Sequence, residues 1–462
     1  MPEGRTHKPV IQPDRCHACN VCIRGCPAEL FPEYRGEDKS LRGTLYQEKL
    51  KEKPVEQKVH FPPCQEACPI HQDVRGYVSL IAEGNFKEAL ETIRKINPLP
   101  AVCGFICHHP CEEACLREGV DHPIPVRLLK RFVAEYEQKR GKARGRPLKK
   151  NRSKVLVIGS GPAGLAASND LCLFGFEVTI FEALPVLGGM LAVGIPEFRL
   201  PRDILKWEID GIRATGVEMI TQHPFHLNGS RKTFQKLGFQ ATFLSIGAHR
   251  SEKLNIPGER LQGVFHGVEF LRDIHLGKHV RIGNRVAVIG GGNVAIDVAR
   301  SAIRLGAKSV RVYYRRSIKE MPAIPEEVEE AIQEGVKIHF LSSQVKIIER
   351  GAEAVGLECV RMRLTEPDQK GRRTPVPIKG STYQAAADTL LVAVGQRVDR
   401  KFITGLDVNP DGTIRVDPKT CETSLMGVFA GGDAVNGGKE VVDAVEDGKK
   451  GAAAILKYLK LC

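Results

Sequence analysis

Cys16, Cys19, Cys22 and Cys26 stand at the spacing C-x2-C-x2-C-x3-C and run into Pro27. Three thiolates so placed wrap one iron–sulfur cubane, and the fourth ordinarily ligates a different cluster. Zinc suits four ligands crowded into one short run before a Pro poorly. The run occurs once, so the fourth ligand of its cubane is either Cys26 or Cys64 from the next segment. A second set of thiols is Cys64-x3-Cys68-Pro69, followed by Cys103, Cys107, Cys111 and Cys115 with three residues between each pair. Thiols that far apart require the helical hairpin between them to fold back on itself. The other four of the 14 Cys, namely Cys172, Cys359, Cys421 and Cys462, are scattered. Crowded cysteines read as disulfides in a small secreted domain and as cluster ligands in a reducing compartment. Two dinucleotide motifs downstream favour the second setting.

The first motif opens with the apolar run Val155–Ile158 and continues Gly159-Ser-Gly161-Pro162-Ala163-Gly164. Gly is needed at the tight turn, at the close approach to a pyrophosphate, and where the helix packs on the strand. The helix N-terminus then offers free N–H groups and partial positive charge to phosphates. The next strand, Glu177–Phe181, ends in Glu182, about 20 residues on, where an acid accepts hydrogen bonds from ribose hydroxyls. Far downstream, Gly427–Asp433 reads as a short apolar strand ending in Gly431, Gly432 and Asp433, with a helical segment from about Val441. By itself that is a turn. Paired with the first motif it selects FAD over NAD, because such an Asp can hold a ribityl hydroxyl. The helix N-terminus can also face the flavin pyrimidine ring, where negative charge develops on reduction.

The second motif follows Val286–Ile289 and reads Gly290-Gly-Gly292-Asn293-Val294-Ala295, with Ala in the third glycine place, which the fingerprint permits. The strand Ser309–Tyr314 ends in Arg315 and Arg316, about 25 residues after Gly290, with no acid. An acid there would repel the 2′-phosphate of NADP, whereas a guanidinium pairs with it bidentately. Solvated surface arginines are the plain alternative; their position at the strand end favours NADP(H).

The elements that must carry these groups follow from pattern. Two βαβ openings some 130 residues apart indicate two stacked dinucleotide domains in an α/β chain. Between residues 60 and 137, Val74, Tyr77, Val78 and Ile81 repeat at helical spacing, as do Phe86, Ala89, Leu90 and Ile93. The net charge of +13 is concentrated partly in Lys139–Lys154, a stretch that suits a solvated linker or a docking site for an acidic protein. No aromatic-rich basic module accompanies it, which argues against nucleic acid. No apolar run approaches the ~20 residues of a membrane span, and the N-terminus lacks a secretory signal, so a cytoplasmic location is expected.

From about residue 60 to 462 the chain resembles the small subunit of glutamate synthase. It also resembles the larger subunit of the NADH-dependent ferredoxin:NADP oxidoreductase and the N-terminal half of dihydropyrimidine dehydrogenase. The stretches that carry this are AsnProLeuProAlaValCysGly (97–104), GlyGlyMetLeuAlaValGlyIlePro (188–196) and GlyGlyGlyAsnValAlaIleAspValAlaArg (290–300). TyrArgArgSer (314–317), GluMetProAla (320–323) and GlyValPheAlaGlyGlyAsp (427–433) extend it. The resemblance implies an α/β fold of two stacked Rossmann-like domains, the FAD domain split by an NADPH domain, behind a helical iron–sulfur domain and a short ferredoxin-like segment. The expected boundaries are 1–45 for the ferredoxin-like segment and 46–150 for the helical iron–sulfur domain with the basic linker. The FAD domain is expected over 151–275 and again over 389–462, with the NADPH domain between them at 276–388. Gly189, Gly247, Gly432 and Val442 join Gly159, Gly161, Pro162, Ala163, Gly164, Glu182 and Asp433 as the FAD set. Hydride goes to flavin N5 in the family and no side chain serves as acid or base. In keeping with this no Cys-x4-Cys pair accompanies the flavin motif, and Cys172 reads as core.

The family's helical domain commonly holds two [4Fe–4S] clusters. Carried over, Cys68, Cys107, Cys111 and Cys115 bind one, and Cys103 is a spare. The other uses a Cys pair upstream of the Cys-Pro motif and a downstream Gln or Glu. Here LysValHisPheProPro precedes Cys64 and the Gln/Glu place falls on Lys130. That cluster is thus expected to be lost, or rebuilt around Cys64 and Cys103, with Cys16, Cys19, Cys22 and Cys26 or Cys64 holding an outer one instead. Two clusters are expected, and a third only if it has been rebuilt. The function implied is an NADP(H)-dependent, FAD-containing electron-transfer subunit of a hetero-oligomeric redox complex, with ferredoxin- or diaphorase-like iron–sulfur flavoproteins as partners. The alternative is the glutamate synthase small subunit itself. A purely structural role fits the retained glycines, Glu182, Asp433 and Arg315 badly.

Overall fold

A computed structural model describes residues 61–141, 153–226, 228–368 and 373–461. The 1–45 segment with Cys16, Cys19, Cys22 and Cys26, and most of the basic stretch Lys139–Lys154, lie outside the described residues. The described chain forms two compact units, one of residues 61–74 and 109–126, the other of 75–108 and 127–461. The span 46–150 is thus shared between them. In the smaller unit the short helices Pro63–Glu66 and Pro110–Glu113 pack on each other, and Phe61 stacks on His71.

The larger unit is built on two parallel five-stranded sheets. The first holds β1 (Lys154–Ile158), β2 (Glu177–Phe181), β3 (Glu218–Ile220), β4 (Ala241–Leu244) and the late strand β15 (Val428–Ala430), in the order β15-β4-β1-β2-β3. The second holds β6 (Val264–His266), β7 (Arg285–Ile289), β8 (Ser309–Tyr313), β9 (Lys337–His339) and β13 (Thr389–Val392), in the order β6-β13-β7-β8-β9. Its strands thus extend beyond the 276–388 span at both ends. β1 and β7 are buried along all but their first residue, as strands of a parallel sheet covered on both faces must be. The chain passes between sheets twice, and the passages pair as an antiparallel ribbon of β5 (Arg250–Ser251) and β14 (Gln396–Arg397). A three-stranded antiparallel sheet, β10 (Ser342–Arg350), β11 (Glu353–Leu364) and β12 (Pro375–Ala386), elaborates the second half.

The helical periodicity read between 74 and 93 produces α1 (Val74–Ala82) and α2 (Phe86–Arg94), with Tyr77, Ala89, Leu90 and Ile93 wholly buried. Next come α3 (Pro100–Ile106) and α4 (Val126–Gln138). α3 begins at Pro100, whose missing N–H is harmless in a first turn. The first sheet contributes α5 (Pro162–Leu173) and α6 (Arg202–Arg213). The N–H groups of Ala101 and Val102 donate to Glu208 Oε2, on α6, at 3.1 and 3.2 Å. Glu208 is fully buried, so a carboxylate over a hundred residues away caps α3 and ties it to the first sheet's helices. Glu208→Ala would orphan two buried donors. Its unfolding free energy should fall by roughly 1–3 kcal/mol, and Glu208→Gln, which keeps an acceptor oxygen, should lose less. Urea unfolding of the three proteins checks the order.

Candidate functional site

At the end of β1, Gly159 adopts φ +101°, and a Cβ there would stand 2.4 Å from the Ser245 carbonyl oxygen. The turn delivers Gly161 as the N-cap of α5, with no side chain capping that end. A Cβ on Gly161 would meet nothing within 4 Å, so the open N–H groups face free space, the condition a pyrophosphate needs. Gly164 lies against the Gly159 carbonyl, where a Cβ would be 2.0 Å from oxygen. Glu182, buried at the end of β2, accepts from Ser160 N at 2.9 Å, Ser160 Oγ at 2.5 Å and Leu184 N at 2.9 Å. Three of about four carboxylate lone-pair positions are therefore committed to shaping the loop, which leaves one for a ligand. Glu182 lines a cavity of about 280 Å³ together with Gly189, His223, Phe225, His249 and Lys401.

The second turn repeats the first. Gly290 has φ +145° and abuts the Ala393 carbonyl, and Gly292 faces open space as the uncapped N-cap of α7 (Asn293–Arg304). Ala295 is buried at the third glycine place, and Asn293 Oδ1 accepts from Ile324 N at 3.0 Å. Gly291 rests on the Tyr314 ring, whose hydroxyl donates to the Glu320 carbonyl at 2.6 Å. Arg315 is exposed; Arg316 is half-buried, and its buried Nε has no hydrogen-bond partner. An unmatched guanidinium N–H at that strand end suits an anionic ligand.

Both turns open into one cavity of about 940 Å³. Gly161, Pro162 and Ala163 line it on one side and Gly290, Gly292, Asn293, Val294, Arg315 and Arg316 on the other, with Gly432 and Asp433 between. Asp433 starts the short helix Asp433–Asn436, and the hydrogen bond that its Oδ1 accepts from Lys439 N is long, 3.4 Å. Burial pushes its carboxyl up to about 6. A half-buried carboxylate so thinly bonded, in the wall of a cavity, fits a ligand hydroxyl donor. Asp447, on α8 (Val441–Leu461), instead accepts from Gly432 N at 2.9 Å and Asn436 Nδ2 at 3.1 Å and shapes the turn. Gly247 and Val442 do not line the cavities; their neighbours Ile246 and Val441 do.

In the smaller unit Cys68 and Cys111 are buried and Cys64 and Cys115 half-buried, on or beside the two packed short helices. In the larger unit Cys107 ends α3, and the preceding Ile106 lines the large cavity. Among the described residues no three His, Cys, Asp or Glu side chains are gathered as around a single metal ion. Cubane ligands stand at the corners of a larger body, and thiolates from paired loops are the donor chemistry it takes. Cys103 differs: burial raises its thiol to about 12, with the nearby Lys130 pulling the other way. Lys130 is itself buried. Cys172 is a core residue whose thiol donates to the Thr215 carbonyl.

Residues 153–448 match the family described as pyridine nucleotide-disulphide oxidoreductase. The chain belongs to that family. Residues 56–142 match a second family, dihydropyrimidine dehydrogenase domain II, 4Fe-4S cluster, so the oxidoreductase carries an iron–sulfur domain. The chain is 44% identical to the NADP(+)-dependent formate dehydrogenase subunit beta of Moorella thermoacetica, over 86% of this chain and 60% of that one. It is 39% identical to the NADPH-Fe(3+) oxidoreductase subunit beta of Geobacter sulfurreducens, over 86% and 64%. The chain thus spans under two thirds of those relatives. With the glutamate synthase [NADPH] small chain of Halomonas elongata it shares 32% identity over 86% of this chain and 88% of that one. Among solved structures, FprA from Mycobacterium tuberculosis superposes with a TM-score of 0.59 at 18% identity, over 68% of this chain and 85% of FprA, and shares its fold. No helix among the described residues is long and apolar enough to cross a membrane.

For this oxidoreductase, sequence reading missed several cavity residues. Arg199, Asp297, Ser343, Gln344 and Glu440 all line the large cavity, yet none is a glycine, cysteine or strand-end position of the signatures. Asp433 yields a pH test. Its folded value of about 6 exceeds the ordinary 3.8, so its stabilising contribution is complete below about 3.8 and lost as pH rises through about 6. Flavin-depleted protein should therefore lose roughly 3 kcal/mol between about pH 4 and pH 7 relative to Asp433→Asn. Denaturant midpoints of both proteins across that range measure it.

Proposed function

We propose that this chain is the NADP(H)-dependent flavoprotein subunit of a larger redox complex, moving electrons between NADP(H) and a partner protein through FAD and [4Fe–4S] clusters. The observation that carries the reading is the shared cavity, into which two uncapped helix N-termini and the Arg315–Arg316 strand end all open. Gly159, Gly161, Gly164, Glu182, Gly189 and Asp433 would hold FAD, with its adenosine end in the smaller cavity. Gly290, Gly292, Asn293, Val294, Ala295, Arg315 and Arg316 would hold NADP(H). When bound, flavin accepts a hydride and releases single electrons. The chain's own role is to bind, align and exclude water, since no side chain is needed as acid or base. Helix α8 has its first residue, Val441, in the cavity wall, where the partial positive charge of a helix N-terminus favours a reduced, anionic ring.

Electrons would leave along α3, where Ile106 forms cavity wall and Cys107 follows it. We assign Cys68, Cys107, Cys111 and Cys115 to the inner cluster, and Cys16, Cys19 and Cys22 with Cys26 or Cys64 to an outer one. The names of the formate dehydrogenase and Fe(3+) oxidoreductase relatives support a subunit role. The glutamate synthase relative, covered over 88% of its length, supports the second reading, a subunit feeding a glutamate-forming partner. The buried Lys130, where that family has a Gln or Glu ligand, weighs against it.

Replacing Arg315 and Arg316 with Ser should erase the preference for NADPH over NADH, a charged hydrogen-bonded pair being worth roughly 1.5–3 kcal/mol, or about 10- to 150-fold. Diaphorase kcat/KM with both coenzymes checks this, and equal values in the unsubstituted protein would refute the assignment. Cys111→Ser should lower iron from about eight to about four atoms per chain and stop transfer beyond the flavin, while NADPH still bleaches bound FAD. Iron analysis, low-temperature electron paramagnetic resonance and chromatography of the acid-released flavin provide the readouts; release of FMN would overturn the flavin assignment.

A further inference from the structure

Two nucleotides can share a cavity without reacting, since each is held by a different sheet. The covalent connection between the two sheets is slight. β5 and β14 pair over only two registers, Gln396 with Ser251 and Arg397 with Arg250, and a ribbon that short is a hinge unless other contacts stiffen it. The stiffening lies on the other flank. The loop that begins at Gly188 and Gly189 runs to Pro201, and Gly189 sits so near Gly161 that a Cβ would be 2.9 Å from the Gly161 Cα. Arg202 braces it, donating to the Leu191 carbonyl at 3.0 Å and the Ile195 carbonyl at 2.7 Å. Beyond this brace the loop enters the second half. Phe198 lies under the guanidinium groups of Arg300 and Arg304, 4.5 and 3.9 Å from its ring centre.

Arg199 makes the central contact. Its Nη1 donates to both carboxylate oxygens of Asp297, at 3.0 and 2.8 Å, and its Nε lies 2.8 Å from Glu327 Oε1. Glu327 is shared with Arg300, which also reaches Glu330 and Glu334. The Arg199 and Asp297 side chains are 6% and 4% exposed, and both still line the large cavity. Asp297 sits one turn into α7, the helix whose open N-terminus begins at Asn293. One guanidinium therefore joins the loop that touches the first nucleotide turn to the helix that begins at the second.

We propose that Arg199 is a positioning residue for hydride transfer: it fixes α7 against the Gly188–Pro201 loop and so sets the spacing of the coenzyme ring from the flavin ring. This rests on the reading of the cavity as the NADP(H)–flavin site. A planar guanidinium held by two acids defines both distance and orientation, which a lysine's single-point charge cannot. Binding strength resides elsewhere, in the helix N-termini and Arg315–Arg316, so alignment and affinity should separate.

The test uses the complete chain with its cofactors and compares Arg199→Met, Arg199→Lys and Phe198→Leu with the unsubstituted protein. In anaerobic stopped flow, Arg199→Met should slow flavin reduction at saturating NADPH by about 100-fold, the usual consequence of ångström-scale misalignment, while half-saturation stays nearly unchanged. Arg199→Lys should recover some of that rate, and Phe198→Leu should fall between. The long-wavelength charge-transfer absorption of the reduced-flavin–NADP(+) pair should weaken in the same order. Without coenzyme, amide hydrogen exchange should rise over residues 190–201 and 293–304 in Arg199→Met and stay level over 162–173. An unchanged saturating rate, or a loss confined to half-saturation, would overturn the proposal, as would a slow rate with no rise in exchange. If Arg199→Met does not retain flavin, Arg199→Lys and Phe198→Leu carry the same comparison. Failure of NADPH to reduce the unsubstituted protein would instead refute the functional reading itself, and this proposal with it.

Discussion

A hydride moves only between rings in contact, and that requirement governs this architecture. Two strand–turn–helix units must aim their N-termini into the same space, although each belongs to a different sheet. The topology meets it by interruption: the chain leaves the first sheet after β4, builds the second, and returns to place β15 beside β4. The return brings Gly432, Asp433 and the start of α8 to the cavity that Gly161 and Gly292 already face. Neither half could form that cavity alone.

The electrostatics of the cavity follow from the same arrangement. Uncapped helix ends and the Arg315–Arg316 strand end supply positive potential for phosphates. The buried and half-buried acids are each assigned differently by their neighbours. Glu182 is largely taken up by Ser160 and Leu184, Asp447 by the Gly432–Asn436 turn, and Asp297 by Arg199, while Asp433 keeps capacity for a ligand. Burial raises Asp433 and Asp297 alike to about 6, so the raised value does not distinguish a binding group from a structural one. Their partners do.

What is legible in the sequence is what local spacing encodes. Glycines at a turn, an apolar run before it, an acid or an arginine pair at the next strand end, and helical periodicity from Val74 to Ile93 all concern residues close in the chain. The antiparallel sheet from β10 to β12, the Glu208 cap and the Arg199 contact are not legible there. Glu208 meets α3 across 107 positions, and Arg199 meets Asp297 across 98. A carboxylate that caps a distant helix looks, in sequence, like any acid on an amphipathic helix. Gly247 and Val442, which the resemblance adds to the FAD set, do not line the cavities, whereas their neighbours Ile246 and Val441 do.

Cys103 lies among buried polar neighbours that also hold the start of α3. Lys130 and Glu208 act on the Cys103 thiol in opposite senses, and Asn97 lies beside it. All four residues are buried. Glu208 meanwhile holds the first turn of α3 through the N–H groups of Ala101 and Val102. That acid therefore fixes the helix that ends at Cys107, next to the cavity wall at Ile106.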